Sequence, residues 1–536
     1  MTKQKRIALI LLLTLVTRVL VVAQAPAPAT SAPKTLPELQ TRISEVLARR
    51  ELAPAMIGIK VVSLETGRIL FEENAAKLLR PASNMKLYTV AAALDKLSPD
   101  FRFKTSVYAP SPPNSSGTIR GNLTIYGRGD PTFAARFNNG DYFKGIDNLA
   151  AHIVSAGVKR VEGDLVGDET YFVGPKYGSG WEWEDLTWYY GAEISPLTIN
   201  DNALDLFIKP GPAVGQPALI TTGPPDPLLT IVNKVTTATK GTRRQFNIHR
   251  GLGENTVTIA GSIPLEDPGY TGAMAISHPG MLFIYLLRSS LAQKGVVITG
   301  KSRTTGTVSQ PPLIPATTQT LPAPYEIATL ESPPLSLIAE HTLKPSQNLY
   351  TELLLRTLGK MTPPPPTMLP LRQTSEDLGL EAVKLFLSAL AIPPQSLVLN
   401  DGSGLSRGDM ITAEATVQLL MIMNKHRYGD VFRAALPIAG VDGTLRNRMR
   451  GTPAQNNVRA KTGSLSSAAS LGGYVTTAAG EKLAFAIIVN NYGSDVEPRA
   501  ICIDPIAVLL ASFSGKSDGQ DTNGTKPPDK PNPENK

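Results

Sequence analysis

Residues 85–94 are apolar nearly all round, broken only by Lys86, Tyr88 and Thr89. A helix without a polar face has to be enclosed on every side. Whatever this chain folds into must therefore wrap other elements around one short segment. The residues before it offer little cover. Leu36, Leu39, Ile43, Val46 and Leu47 repeat at helical spacing, and residues 57–64 and 68–71 read as two strands joined by a turn at Glu65-Thr66-Gly67. Matching material returns only much later. Residues 335–343, 349–358, 376–390 and 412–424 read as helices, 458–462 as a strand, and 471–477 with 482–490 as a hairpin. Neither flank buries enough surface to fold well alone. The expectation is one discontinuous α/β core built from 36–100 and 316–514.

The intervening 101–315 has a different texture. Short alternating stretches such as 122–126, 163–166, 204–208 and 256–259 are punctuated by Gly and Pro, as in a β-rich insertion. It holds all three Trp, at 181, 183 and 188, beside Glu182, Glu184 and Asp185. Residues 363–366 are four prolines and read as a stiff loop.

At the ends, Lys3, Lys5 and Arg6 precede an apolar stretch at 7–16, with Arg18 beyond it. That stretch is shorter than the roughly 18 residues of a spanning helix. It reads as a signal peptide over 1–25, followed by an Ala/Pro linker at 26–35 and secretion across the cytoplasmic membrane; a retained anchor is the competing reading. Residues 515–536 have almost nothing to bury and read as a disordered tail. The net charge of +8 is spread rather than clustered, so no nucleic-acid partner is expected. With one cysteine, Cys502, in an apolar run and five scattered His, no disulfide, metal or cofactor is expected.

Three short words carry the chemistry: Ser83-x-x-Lys86, Ser346-x-Asn348 and Lys461-Thr462-Gly463. Each alone is weak, and Ser31-x-x-Lys34 shows how easily the first arises. A serine hydroxyl needs a neighbour to take its proton. Lys86 lies one turn from Ser83 on the same face, and burial lowers a lysine's proton affinity enough for it to serve as a base. The competing reading is a helix-capping serine followed by a solvated lysine. Ser346 and Asn348 enter the next helix, where Ser346 is either a proton relay or a plain cap after Pro345. Lys461 and Thr462 suit a carboxylate, and Gly463 permits close backbone approach or simply ends a strand. The amides of Ser83 and Ser464 are the obvious oxyanion donors.

In order and context, the three words resemble the S-x-x-K, S-x-N and K-T-G set of penicillin-reactive serine enzymes. With residues 127–131 (Gly-Arg-Gly-Asp-Pro), 163–165, the Trp patch running to Asp201, 401–406 and 439–445, residues 36–514 resemble the low-molecular-mass, class C (PBP4-like) penicillin-binding proteins of peptidase family S13. The resemblance implies a penicillin-recognising serine-transferase core with two further domains inserted after the Ser83 helix, one nested in the other. It implies D-alanyl-D-alanine carboxypeptidase or endopeptidase activity on peptidoglycan stem peptides, inhibition by β-lactams, and contact with other cell-wall enzymes. Ser83 would be the nucleophile, Lys86 the base, Ser346, Asn348 and Lys461 the rest of the proton network, and Thr462, Gly463 and Ser464 the substrate strand. Asp185 would contact the diamino-acid side chain; a structural aromatic cluster with solvated acids is the alternative. Gln347 stands where Asp is common. Other readings are a catalytically weak peptidoglycan-binding scaffold and a β-lactamase; the latter needs a group to activate deacylating water, and no convincing counterpart is present.

Overall fold

The strand Lys482–Asn490 alternates bulky and small residues, and that alternation builds the core. Leu483, Phe485, Ile487 and Val489 point to one face, Ala484, Ala486 and Ile488 to the other. The computed structural model, which describes residues 32–224, 226–306, 324–362 and 373–518, places this strand at the centre of a five-stranded antiparallel sheet. The order is Arg459–Leu465, Ala468–Thr476, Lys482–Asn490, Met56–Ser63 and Ile69–Glu73. Chain segments some 400 residues apart are thus neighbours, as in Ile59 opposite Ile487.

The bulky face packs on the helices Leu36–Leu47 and Asp504–Ser512. The small face packs on the helix Ala413–Lys425, which shares one apolar cluster with the helix Met85–Leu97 and with Asn348–Met361 and Ser375–Ala389 packed against that helix. Every residue from Met85 to Leu94 is buried, Lys86 included. Burying Leu87, Val90 and Leu94 contributes about 1.5–3 kcal/mol each. That is comparable with the several kcal/mol needed to desolvate one ammonium group, so the helix can hold a lysine in its core.

Residues 101–331 form the insertion. A five-stranded sheet in the order Ser302–Thr304, Leu165–Asp168, Leu123–Tyr126, Lys104–Ala109 and Tyr325–Glu331 shares one apolar cluster with a small three-stranded sheet. Two further three-stranded sheets, built from strands between Ala203 and Ala275, have their own cluster and interrupt this unit in sequence.

Several expectations need correction. The insertion, expected to be β-rich, also holds helices: Lys144–Ser155 and Pro279–Gln293 pack in its core. Its sheet also extends past residue 315, because Tyr325–Glu331 pairs with Lys104–Ala109. The linker and tail are shorter than expected. Pro33 is buried and accepts from Ser514 N (3.0 Å), Thr35 caps the first helix, and Ser517 N donates to Glu481 (3.0 Å). The signal peptide, the rest of the linker, the prolines at 363–366 and the tail beyond 518 lie outside the described residues. Cys502 is a buried core thiol as expected, its pKa pushed up to about 12 by burial. Among the described residues, no helix is long and apolar enough to cross a membrane, and no cluster of His, Cys, Asp and Glu suits a metal ion.

Candidate active site

Between Pro81 and Leu94, only Ser83 is not buried. It sits in a tight 3-10 turn, Ala82–Asn84, that leads into the Met85–Leu97 helix. Ala82, just before it, has a φ of 47°, in the left-handed region that non-glycine residues avoid. Such a turn persists only when its surroundings hold it, and two glycines do so. A Cβ on Gly463 would overlap Pro81 O and Ser470 Oγ; one on Gly404 would overlap Ala82 O. Ser470 Oγ also donates to Pro81 O (2.6 Å). Gly463 is therefore not a turn glycine. Its strand runs on to Leu465, and its missing side chain is what lets the serine turn lie against the sheet.

Lys86 Nζ donates to Ser83 Oγ (3.0 Å), Asn348 Oδ1 (2.6 Å) and Ser403 O (2.7 Å). Those acceptors use all three ammonium protons. Burial lowers its pKa to about 7, against the opposing pull of Asp401, Glu352 and Asp409. A solvated Lys86 is excluded. Lys461 Nζ donates to Ser346 Oγ (2.8 Å) and Thr462 O (2.8 Å). Burial, and secondarily the positive charge of Lys86, hold Lys461 well below the usual lysine range.

Ser346 does not cap the following helix. Gln347 does, its side chain accepting from Leu349 N (3.1 Å), which leaves Ser346 Oγ to Lys461. The residue that differs from the common Asp thus has a structural role of its own. Asn348 is held from both ends, accepting from Lys86 and donating Nδ2 to Tyr190 O (2.8 Å) of the Trp patch. Thr462 Oγ1 bonds to Thr444 Oγ1 (2.7 Å), and Thr444 N donates to Lys344 O (3.0 Å).

Ser83, Ser346, Asn348, Thr444 and Thr462 line one cleft of about 700 Å³, with Lys86 and Lys461 buried behind them. Ser83, Ser346, Asn348, Thr462 and Ser464 form its floor and the sheet side, while Glu184, Asp185 and Tyr189 of the insertion form the facing wall. Asp185 lines the cleft without being a free carboxylate: it is buried and accepts from Arg407 Nη1 (2.5 Å), and Arg407 also pairs with Glu182 (3.0 Å).

Several groups were not singled out as site residues in the sequence. Asp401 is a buried anchor accepting from six donors: Ser403 N and Oγ, the amides of Gly404, Leu405 and Ser406, and Trp181 Nε1. This closes the 401–406 loop into the shape that aims Ser403 O at Lys86. Its sequence announces a turn, not a ligand for lysine. Tyr190 O and Thr444 are equally silent, because each contributes through tertiary contact.

The chain is similar to known proteins over most of its length. A profile of the D-Ala-D-Ala carboxypeptidase 3 (S13) family matches residues 39–513. A D-alanyl-D-alanine carboxypeptidase of Actinomadura sp. (strain R39) is 36% identical over 502 residues, covering 92% of this chain and 88% of that protein. The D-alanyl-D-alanine carboxypeptidase DacB of Haemophilus influenzae is 26% identical over 448 residues, 83% of this chain and 87% of its own. The crystal structure of penicillin binding protein 4 from H. influenzae superposes with a TM-score of 0.74 at 24% sequence identity, over 88% of this chain and 99% of that one. The α/β serine-transferase fold is the same.

Proposed function

The chain belongs to the D-Ala-D-Ala carboxypeptidase 3 (S13) family and is a serine DD-peptidase; we propose that it works through an acyl-enzyme on Ser83. The observation that carries this is the Lys86 ammonium bonded to Ser83, Asn348 and Ser403 in a closed, buried site. Lys86 takes the Ser83 proton as Oγ attacks the carbonyl carbon of the D-alanyl peptide bond. The amides of Ser83 and Ser464 receive the oxyanion. Ser346, bonded to Lys461, passes a proton to the leaving amine. Thr462 and the lysine charge beside it hold the leaving group's carboxylate. Water then releases the acyl group.

Stem peptides are the substrate, with D-alanine leaving in the carboxypeptidase reaction and a second stem in the endopeptidase reaction. β-Lactams acylate the same serine. Asp185 and Arg407, paired on the facing wall, present opposite charges to the zwitterionic end of a diamino acid. This work belongs outside the cytoplasm, within reach of other wall enzymes.

A pH profile tests the assignment of the base. Only neutral Lys86 can accept a proton. Since burial sets its pKa at about 7, kcat/KM for D-alanine release from a stem pentapeptide should rise through neutral pH and level off above it. A profile flat between pH 5 and 9 would remove Lys86 from that role. Running a cross-linked dimer alongside measures the division between the two peptidase reactions.

A further inference from the structure

Beneath Lys86 lies a layer of buried charge that the mechanism above does not use. Glu352 is one turn beyond Asn348 on the same helix and fully buried. Its Oε1 accepts from Gly402 N (3.0 Å). Gly402 O in turn accepts from Thr89 Oγ1 (2.8 Å), and the next carbonyl, Ser403 O, accepts from Lys86. One carboxyl group thus anchors the loop two peptide units before the carbonyl that grips the catalytic lysine. The other oxygen, Oε2, is buried and has no hydrogen-bond partner. A bare carboxylate left this way is far more costly than a neutral acid.

The surrounding charges point the same way. Asp401 faces Glu352 from the 400–409 loop, Glu376 from the Ser375–Ala389 helix, Arg356 from its own helix, and Lys86 from the Met85–Leu97 helix, while Asp409 lies beside Asp401 and Lys86. Asp401 is satisfied by its six donors. Glu376 accepts from Ser179 N (3.0 Å) and Oγ (3.1 Å) and lies 4.0 Å from Arg356. Those two carboxylates already match Lys86 and Arg356 in charge. Asp409, like Glu352, keeps one buried oxygen without a partner. The other buried lysine, Lys461, bonds to Ser346 and Thr462 rather than to either of these acids.

We infer that Glu352 is a positioning residue for the reaction: it anchors the loop whose Ser403 carbonyl holds Lys86 and, by carrying a proton, lets Lys86 release its own. The coupling is electrostatic. An ionised Glu352 would stabilise the lysine ammonium and withhold the base; a protonated one does not. Burial raises the Glu352 pKa to about 8, above the value of about 7 to which burial lowers Lys86, so the acid keeps its proton while the lysine loses one.

The test is Glu352→Gln, which keeps an oxygen for Gly402 N and can never ionise. The second-order rate of Ser83 acylation by benzylpenicillin is followed from pH 5 to 10, with the adduct located by mass spectrometry. The expected result is a plateau within about threefold of the parent and an acid limb within about 0.3 of a pH unit of it, because the amide reproduces the neutral acid beside Lys86. A limb moved to lower pH by half a unit or more overturns the inference, since it would mean that Glu352 is ionised while Lys86 titrates. Infrared difference spectra of the unaltered protein are read alongside. A buried protonated-carboxyl band that persists through the acid limb supports the inference, and its absence overturns it. The inference rests on Lys86 serving Ser83. Loss of labelling at Ser83 in the parent would sink that reading, whereas a labelled Ser83 without that band, or with a moved limb in Glu352→Gln, would sink only the role of Glu352.

Discussion

Lys86→Met should lower kcat/KM for D-alanine release by about a thousand- to ten-thousand-fold, the scale of losing a positioned base. The loss should lie in kcat, because Nζ touches Ser83 Oγ and the two groups that orient it. The fold should survive. Methionine is near-isosteric and apolar, and it removes the several kcal/mol cost of burying an ammonium. Against that, Asn348 Oδ1 and Ser403 O lose a donor, at about 1–3 kcal/mol each. The opposing effects are of similar size, so Tm should move by only a few degrees. A collapsed Tm would mean the lysine acts chiefly as structural glue; unchanged turnover would mean the base lies elsewhere. Lys86→Arg should not rescue, since a guanidinium stays protonated at any working pH.

Gly463→Ala is the second large effect, and a steric one. The added methyl group meets Pro81 O and Ser470 Oγ, and the first is backbone that cannot rotate away. The strand and the serine turn must separate. Overpacking of this kind costs about 1–3 kcal/mol. Because Ala82 is held in a left-handed conformation by this contact and by Gly404, the displacement passes directly to Ser83. A shift near 1 Å is worth about a hundredfold in rate. The predicted signature is a folded protein, a few degrees less stable, whose acylation by penicillin is slowed by at least that much. Acylation at the parental rate would show that the close approach is not needed. Gly480→Ala is the control: Gly480 has no neighbouring atom near the position of a Cβ, though its positive φ of 85° predicts a small stability cost with acylation intact.

How much of this could be read from the chain depends on where each signal resides. The buried helix was legible because ten consecutive residues left it no polar face. The discontinuous core followed because neither flank could cover that helix alone. Ser83, Lys86, Asn348 and Lys461 were legible as words, and the structure brings all four together around Lys86 and Ser346. The helix Lys144–Ser155 was missed although Ile146, Leu149, Ala150 and Ile153 carry its periodicity; the Gly and Pro punctuation around it suggested strands. The strand Tyr325–Glu331 was missed because its partner, Lys104–Ala109, lies more than 200 residues away. Asp401 was legible only as part of the 401–406 turn phrase, and Glu352 left no pattern at all. Their effect on Lys86 comes from burial and from distances that exist only after folding. Asp185 was found, but its pairing with Arg407 was not, since 222 residues separate them.

The central claim is that Ser83 is the acylated nucleophile. Incubating the protein with benzylpenicillin, digesting it and locating the adduct by mass spectrometry tests that claim most directly. The account predicts one stoichiometric penicilloyl group, on the peptide containing Ser83, and none on the Ser83→Ala variant. An adduct on any other serine, Ser346 included, or undiminished labelling of Ser83→Ala, would contradict it.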